Sequence, residues 1–299
     1  IAWMMACAQG SRKTRWDTAS TFLFREAVAL LCRMKILGIL NITTDSFSDG
    51  GQFLEPGAAI FHASAMAKSG ADIIDIGAAS SNPAAEAVSA AVEIARLSEV
   101  VPELKARKLC LSIDSFAPQV QRWAMAQQVD YLNDIHGFAD ATLYPALVGS
   151  SAKLIVMHMV QPTGVAVRTD VAPGEIFDRV ISFFDARVKA LTEAGIARHR
   201  LILDPGMGQF VGTDPENSLI LLRGLPKLKD RYGLPLLISV SRKGFLRKLV
   251  ERPAQEAGAA SLAAELYAQA QGADYIRTHA PGALRDGLKV LTAIAKDPH

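Results

Sequence analysis

From Lys35 onward the chain alternates between short runs of apolar, β-favouring residues and longer stretches with helical spacing of apolar and polar positions. Eight runs stand out: 35–40 (KILGIL), 72–76 (DIIDI), 109–113 (LCLSI), 131–135 (YLNDI), 153–157 (KLIVM), 201–203 (LIL), 236–240 (LLISV) and 275–277 (YIR). Most are apolar on both faces, as parallel strands must be when helices cover one side and a packed interior the other. Helical stretches are predicted over 56–69, 89–105, 118–127, 143–149, 173–194, 215–222, 261–271 and 281–295. Several open with proline, whose fixed φ and missing N–H suit a first helical turn. Two end at a glycine followed by Ala-Asp and the next strand, at Gly70 and Gly272, where a left-handed C-cap is expected. Eight β/α units in about 265 residues predict an α/β fold of the (β/α)8 TIM-barrel kind. A doubly wound open sheet needs the same alternation and is the alternative.

Composition narrows the class. Of 299 residues, half are hydrophobic and 21% charged, too apolar for a disordered chain and ample for a buried core. With 32 basic against 30 acidic residues there is no electrostatic footprint for nucleic acid. Three cysteines (Cys7, Cys32, Cys110) are too few and too scattered for a disulfide framework or a zinc site, which fits a reducing, cytoplasmic compartment. No apolar run has the length of a membrane span. Residues 1–33 carry Arg12, Lys13, Arg15, Arg25 and Arg33 against Asp17 and Glu26, a net +3 in a chain of formal charge +2. Such a leader reads either as a transit peptide or as upstream sequence that does not fold with the domain. It is expected to be poorly ordered, with one barrel domain over 34–299.

In such a barrel the chemistry lies at the C-terminal strand ends, and polar residues gather there. The first run leads into Asn41 and the loop Thr43-Thr44-Asp45-Ser46-Phe47-Ser48-Asp49-Gly50-Gly51, and the second into Gly77 and Ser80-Ser81-Asn82-Pro83. The next four end in Asp114-Ser115, Asn133-Asp134, His158 and Asp204-Pro205-Gly206, and the last two in Ser241-Arg242-Lys243-Gly244 and Arg277-Thr278-His279. Any one of these can be a helix cap or a tight turn, and His158 a satisfied core histidine. Chance capping does not readily place Asn, two Asp, Lys, Arg and His at one barrel end.

The residues divide into two chemistries. Asp114, Asn133, Asp204 and Lys243 form a donor and acceptor set suited to a flat heterocycle with amide and amino edges. Asn41, Arg277 and His279, with Ser48-Asp49-Gly50-Gly51, suit an anion: Arg can fork onto two phosphate oxygens, and an Asn oxygen can complete the shell of a phosphate-bound Mg²⁺. The Gly206-Met207-Gly208 pair is not a dinucleotide fingerprint, because the next glycine, Gly212, falls at the wrong spacing.

Six ordered segments together resemble dihydropteroate synthase: Ile39 to Gly51, Gly70 to Gly77, Asn133-Asp134-Ile135, Leu203 to Gly208, Ser241 to Phe245, and Arg277-Thr278-His279. The resemblance runs from about Lys35 to the last helix. It implies a transferase of folate synthesis that joins 4-aminobenzoate to 6-hydroxymethyl-7,8-dihydropterin diphosphate, with Mg²⁺ as cofactor and a homodimer as the assembly. It further implies that Asp114, Asn133, Asp204 and Lys243 hold the pterin, and that Asn41, Arg277 and His279 hold diphosphate, with Asn41 toward the metal. Asp204, Lys243, Arg277 and His279 would carry the chemistry, and Ser80, Ser81, Phe138 and Ser241 would face aminobenzoate.

One departure from the family pattern stands out. The second loop usually reads Ser-Thr-Arg-Pro-Gly and here reads Ser80-Ser81-Asn82-Pro83-Ala84, without the Arg. With Gly137-Phe138 and Tyr144-Pro145, this resembles the sulfonamide-insensitive branch carried on mobile elements. Phe138 then either obstructs the bulkier sulfonamide or packs under its own loop. Gln209 and Gly244 stand where that branch is expected to have Phe and Ser. Two other classes share the barrel. A pterin-binding methyltransferase has no use for a diphosphate site, and a non-catalytic homologue would have lost some of Asn41, Asp114, Asp204, Lys243 and His279.

Overall fold

The computed structural model describes residues 34–43, 55–79, 88–161 and 170–295. The leader 1–33, the loop carrying Ser48-Asp49-Gly50-Gly51, and Ser80 and Ser81 lie outside the described residues. In chain order the elements are β1 (Lys35–Asn41), α1 (Pro56–Ser69), β2 (Ile73–Gly77), α2 (Ala90–Ala106), β3 (Leu111–Asp114) and α3 (Pro118–Ala126). They continue with β4 (Tyr131–Asp134), α4 (Tyr144–Gly149), β5 (Lys153–Met157), α5 (Pro173–Glu193), β6 (Leu201–Asp204) and α6 (Pro215–Arg223). Then come α7 (Leu225–Tyr232), β7 (Leu237–Ile238), α8 (Gly244–Val250), α9 (Gly258–Ala270), β8 (Tyr275–Thr278) and α10 (Pro281–Ala295).

The strands follow one another around a parallel sheet in the order β6-β5-β4-β3-β2-β1-β8-β7. The two ends meet through a parallel bridge between Leu203 and Leu236, where Leu203 N–H donates to the Pro235 carbonyl at 2.9 Å. The sheet thus closes into the expected (β/α)8 barrel, and the open-sheet alternative falls. The sequence runs and strands coincide to within a residue or two, except that β7 is only two residues long. Helices α7 and α8 were not foreseen.

Local chemistry explains the boundaries. Helix α1 starts at Pro56 with the Glu55 carboxylate accepting from the Gly57 and Ala58 N–H groups, and stops at Gly70, whose φ of +119° glycine adopts without strain. Strand parity then sorts the core. Leu37, Ile73, Tyr131, Ile155, Ile202, Leu237 and Tyr275, with Cys110 packed against them, fill the barrel interior with one residue from each strand or its edge. Their neighbours on the opposite face, such as Leu40, Ile74, Ile76, Leu132, Leu154, Val156 and Ile276, pack into the shell between sheet and helices. Burying each such side chain stabilises the fold by about 1.5–3 kcal/mol. Two residues further along each strand, the inward positions become Ile39, Asp75, Ser112, Asn133, Met157, Asp204, Ser239 and Arg277. The interior therefore changes from apolar to polar within a single layer. Among the described residues no helix is long and apolar enough to cross a membrane.

Candidate active site

The polar layer opens into a cavity of about 480 Å³ at the C-terminal rim of the strands. Its walls bring together Asn41, Asp114, Asn133, Asp204, Ser241, Lys243, Arg277 and His279, which come from six of the eight strands or the loops they lead into. A larger groove of about 690 Å³ lies between α5 and the loops after β4 and β5, but of the strand-end residues above it contains only His158. That histidine is buried, with Nδ1 3.0 Å from the Pro205 carbonyl, and burial lowers its pKa to about 4. It is a satisfied core residue.

Arg277 dominates the electrostatics. Its Nε donates to Asp75 Oδ2 and its Nη2 to Asp114 Oδ2 at 2.7 Å. Burial works against the charged guanidinium, but Asp75 and Asp114 outweigh it and hold Arg277 protonated more firmly than usual. Asp114 is pushed up to about 7, chiefly by burial, with Arg277 opposing and Asp75 reinforcing the rise. Asn133 Nδ2 reaches Asp75 Oδ2 at 3.4 Å, while its Oδ1 is buried with no partner. An unpartnered acceptor there suits a donor brought by a ligand.

On the other side, Asp204 Oδ1 accepts the Gly206 N–H at 2.8 Å. Burial raises this carboxyl to about 6, against the pull of that bond and of Lys243. The turn that aims it depends on Gly206, with φ +73°, where a Cβ would lie 2.4 Å from the His158 carbonyl oxygen. Lys243 donates from Nζ to the Met207 carbonyl at 3.1 Å and stands 4.5 Å from the centre of the Phe210 ring. Burial lowers its pKa to about 8, with Asp204 resisting. His279 places Nδ1 3.0 Å from Ser241 Oγ. Burial, with Arg242, Arg277 and Lys243 nearby, lowers the imidazole to about 3, so the ring is neutral.

Phe138 is elsewhere. It is 0% exposed, belongs to the core between barrel and helices, and does not line the cavity. Its φ of +58° follows Gly137 at +63°, and its carbonyl accepts from Arg187 Nη1 at 3.2 Å. Of the two sequence readings, packing under the loop matches this position.

Asp75 escaped the strand-end reading because it lies in mid-strand; its signal is a lone carboxylate at inward parity in an apolar run. Glu93 and Glu265 were missed because they sit on helices. Glu93 lines the cavity from α2, and burial raises its pKa despite hydrogen bonding to Ser115. No group of three or more His, Cys, Asp or Glu side chains that could hold a metal occurs among the described residues. Asn41, a neutral oxygen donor on the cavity wall, fits only an ion whose other ligands come with a substrate.

A family model for pterin-binding enzymes matches residues 37–279. Dihydropteroate synthase type-2 of Escherichia coli is 56% identical over 259 residues, covering 87% of this chain and 95% of that protein. The structure of Xanthomonas albilineans dihydropteroate synthase with 4-aminobenzoic acid superimposes with a TM-score of 0.80 at 35% identity, over 90% of this chain and 95% of that one. The Anaplasma phagocytophilum dihydropteroate synthase with bound 6-hydroxymethylpterin-monophosphate gives 0.77 at 34% identity, over 88% and 99%. The parallel barrel is thus matched in sequence and in structure along most of its length. The chain belongs to the dihydropteroate synthase family of pterin-binding enzymes. It is a transferase of folate synthesis.

Proposed function

We propose that the cavity binds 6-hydroxymethyl-7,8-dihydropterin diphosphate and 4-aminobenzoate and divides the work of joining them between its two walls. Asp114, Asn133, Asp204 and Lys243 take the pterin, the carboxylates and the Asn133 oxygen accepting from its N–H groups and Lys243 donating to a ring acceptor. Arg277 and His279 take the diphosphate, and Asn41 turns toward a Mg²⁺ ion carried on it. Such an ion would supply charge neutralisation for the leaving group. Ser241, with Ser80 and Ser81 of the loop after β2, takes aminobenzoate. Support comes from the meeting of eight strand-end residues, distant in sequence, around one cavity.

No protein nucleophile is needed. The methylene C–O bond breaks with its electron pair leaving on diphosphate, while the pterin ring releases electron density into the cationic methylene. The aryl amine of aminobenzoate then forms the new C–N bond and loses a proton. Arg277 and the neutral His279 stabilise the departing anion, and Asp204 favours positive charge on the ring. The loops after β1 and β2 exclude water that would capture the cation.

The same reading covers sulfonamide insensitivity, supported by the missing Arg of the second loop, by Gly137-Phe138 and by similarity to the type-2 synthase. Because Phe138 is buried, it acts through the loop it anchors. A cytoplasmic homodimer completes the proposal. The test is release of diphosphate from the pterin substrate, which is expected only with both aminobenzoate and Mg²⁺ present. Release without aminobenzoate, or none under any condition, overturns it. Growth of a bacterium lacking its own synthase, with and without sulfamethoxazole, checks both parts together.

A further inference from the structure

Arg277 is held by two carboxylates of unequal accessibility. Asp75 is 0% exposed and does not line the cavity, whereas the Asp114 side chain is 24% exposed and does. The guanidinium side chain, 17% exposed, also faces the cavity. A molecule entering can therefore compete for Asp114 but cannot reach Asp75. The Nη2 bond ties the Asp114 carboxylate to Arg277, so a ring N–H entering the cavity meets a carboxylate already shared with a cation. The cation that an anion would need is likewise neutralised by the same contact.

We infer that Arg277 pivots on Asp75, exchanging Asp114 for the substrate diphosphate when a pterin ring claims the Asp114 carboxylate. This rests on the division of the cavity proposed above and adds Asp75 as a positioning residue, which acts on substrate only through Arg277. Nε stays on Asp75, which fixes the plane of the guanidinium, while Nη2 is freed toward the anion wall, where His279 lies. Ring and diphosphate then each favour the binding of the other. Because linkage is reciprocal, the two affinities must change by one and the same factor. The device makes a bare anion a poor ligand and a pterin diphosphate a good one, which selects the intact substrate over its fragments.

Calorimetry on the full chain tests this without turnover, using inorganic diphosphate with Mg²⁺ and 6-hydroxymethylpterin lacking phosphate. Saturating pterin is expected to tighten diphosphate binding by about fivefold or more, and diphosphate to tighten pterin binding equally. Asp114→Asn, or Asp114→Ser if the first does not fold, is expected to bind diphosphate alone more tightly and to reduce the coupling below about twofold. Asp204→Asn removes a carboxylate that does not touch Arg277, and is expected to tighten diphosphate binding less than Asp114→Asn does. Asp75→Asn is expected to weaken diphosphate binding by about fivefold, against the gain that mere loss of negative charge gives. Independent binding in the unmodified protein, coupling that survives Asp114→Asn, equal tightening by Asp204→Asn, or tighter binding in Asp75→Asn overturns the pivot. Failure of either probe to bind the unmodified protein at all overturns the functional reading instead.

Discussion

Ser241 Oγ lies 3.0 Å from Nδ1 of His279 and accepts the backbone N–H of the same residue at 3.2 Å. One hydroxyl thus fixes both the ring and the main chain of the residue assigned to the anion. With Nδ1 engaged by this hydroxyl, Nε2 is the ring nitrogen left for a ligand. Thr278, whose hydroxyl is 3.4 Å from Ser241 Oγ, supports the pair from beneath.

Removing that hydroxyl should loosen the ring without emptying the site. Ser241→Ala is expected to raise KM for the pterin diphosphate by about three- to tenfold, the worth of one hydrogen bond of about 1 kcal/mol. Steady-state kinetics with each substrate varied in turn will show it. Unchanged constants for both substrates would remove Ser241 from the anion and aminobenzoate walls alike.

The pH dependence follows from the charges that must persist. The carboxylates of Asp204 and Asp114, raised to about 6 and about 7, are lost as pH falls through those values. The Lys243 cation, lowered to about 8, is lost as pH rises through that value. The rate constant kcat/KM should therefore pass through a maximum between about 7 and 8, with each limb a property of the coupled set. Lys243→Arg keeps its charge to higher pH and should move the alkaline limb upward. His279, at about 3, stays neutral throughout and contributes no limb. A profile in which Lys243→Arg leaves the alkaline limb in place would contradict the assignment.

Phe138 is expected to matter twice. As a fully buried aromatic in the shell, Phe138→Ala should destabilise the fold by about 3–5 kcal/mol, measurable by urea unfolding. Deleting Gly137-Phe138 together should restore inhibition by sulfonamides, since the loop after β4 would lose its anchor. An inhibition constant unaffected by the deletion would leave discrimination to the second loop.

Glu265 sits on α9, buried, with its carboxylate accepting from Thr278 and Oε1 unpartnered. Burial pushes its pKa up to about 7, so the folded state prefers the protonated form. Stability from this group is complete below the ordinary glutamate value of 4.5 and is lost as pH rises through about 7. Glu265→Gln should remove that decline, and unfolding curves at pH 4.5 and 7.5 for both proteins would reveal the difference.

The strands were legible because burial on both faces leaves an unbroken apolar signature, and the site because barrel closure collects whatever lies just beyond each run. What the pattern did not show was direction. Asp75 differs from Asp72 only in parity, and parity acquires meaning once Leu37 and Ile73 are known to face inward. Phe138 has the composition of a pocket residue, but two successive left-handed backbone conformations, at Gly137 and Phe138, place it in the shell. Helices α7 and α8 are short, and their tertiary surroundings rather than their own periodicity define them.

The barrel is sewn shut by one bridge between β6 and the residue before β7, next to a strand of two residues. Asp204 stands on one bank of that seam, and Ser239, Ser241 and Lys243 on the other. A heterocycle gripped by Asp204 and Lys243 would span the gap like a rivet, so that occupancy supplies the hoop tension the backbone lacks there. Substrate recognition would then reinforce the cylinder at the seam where its backbone bonding is thinnest.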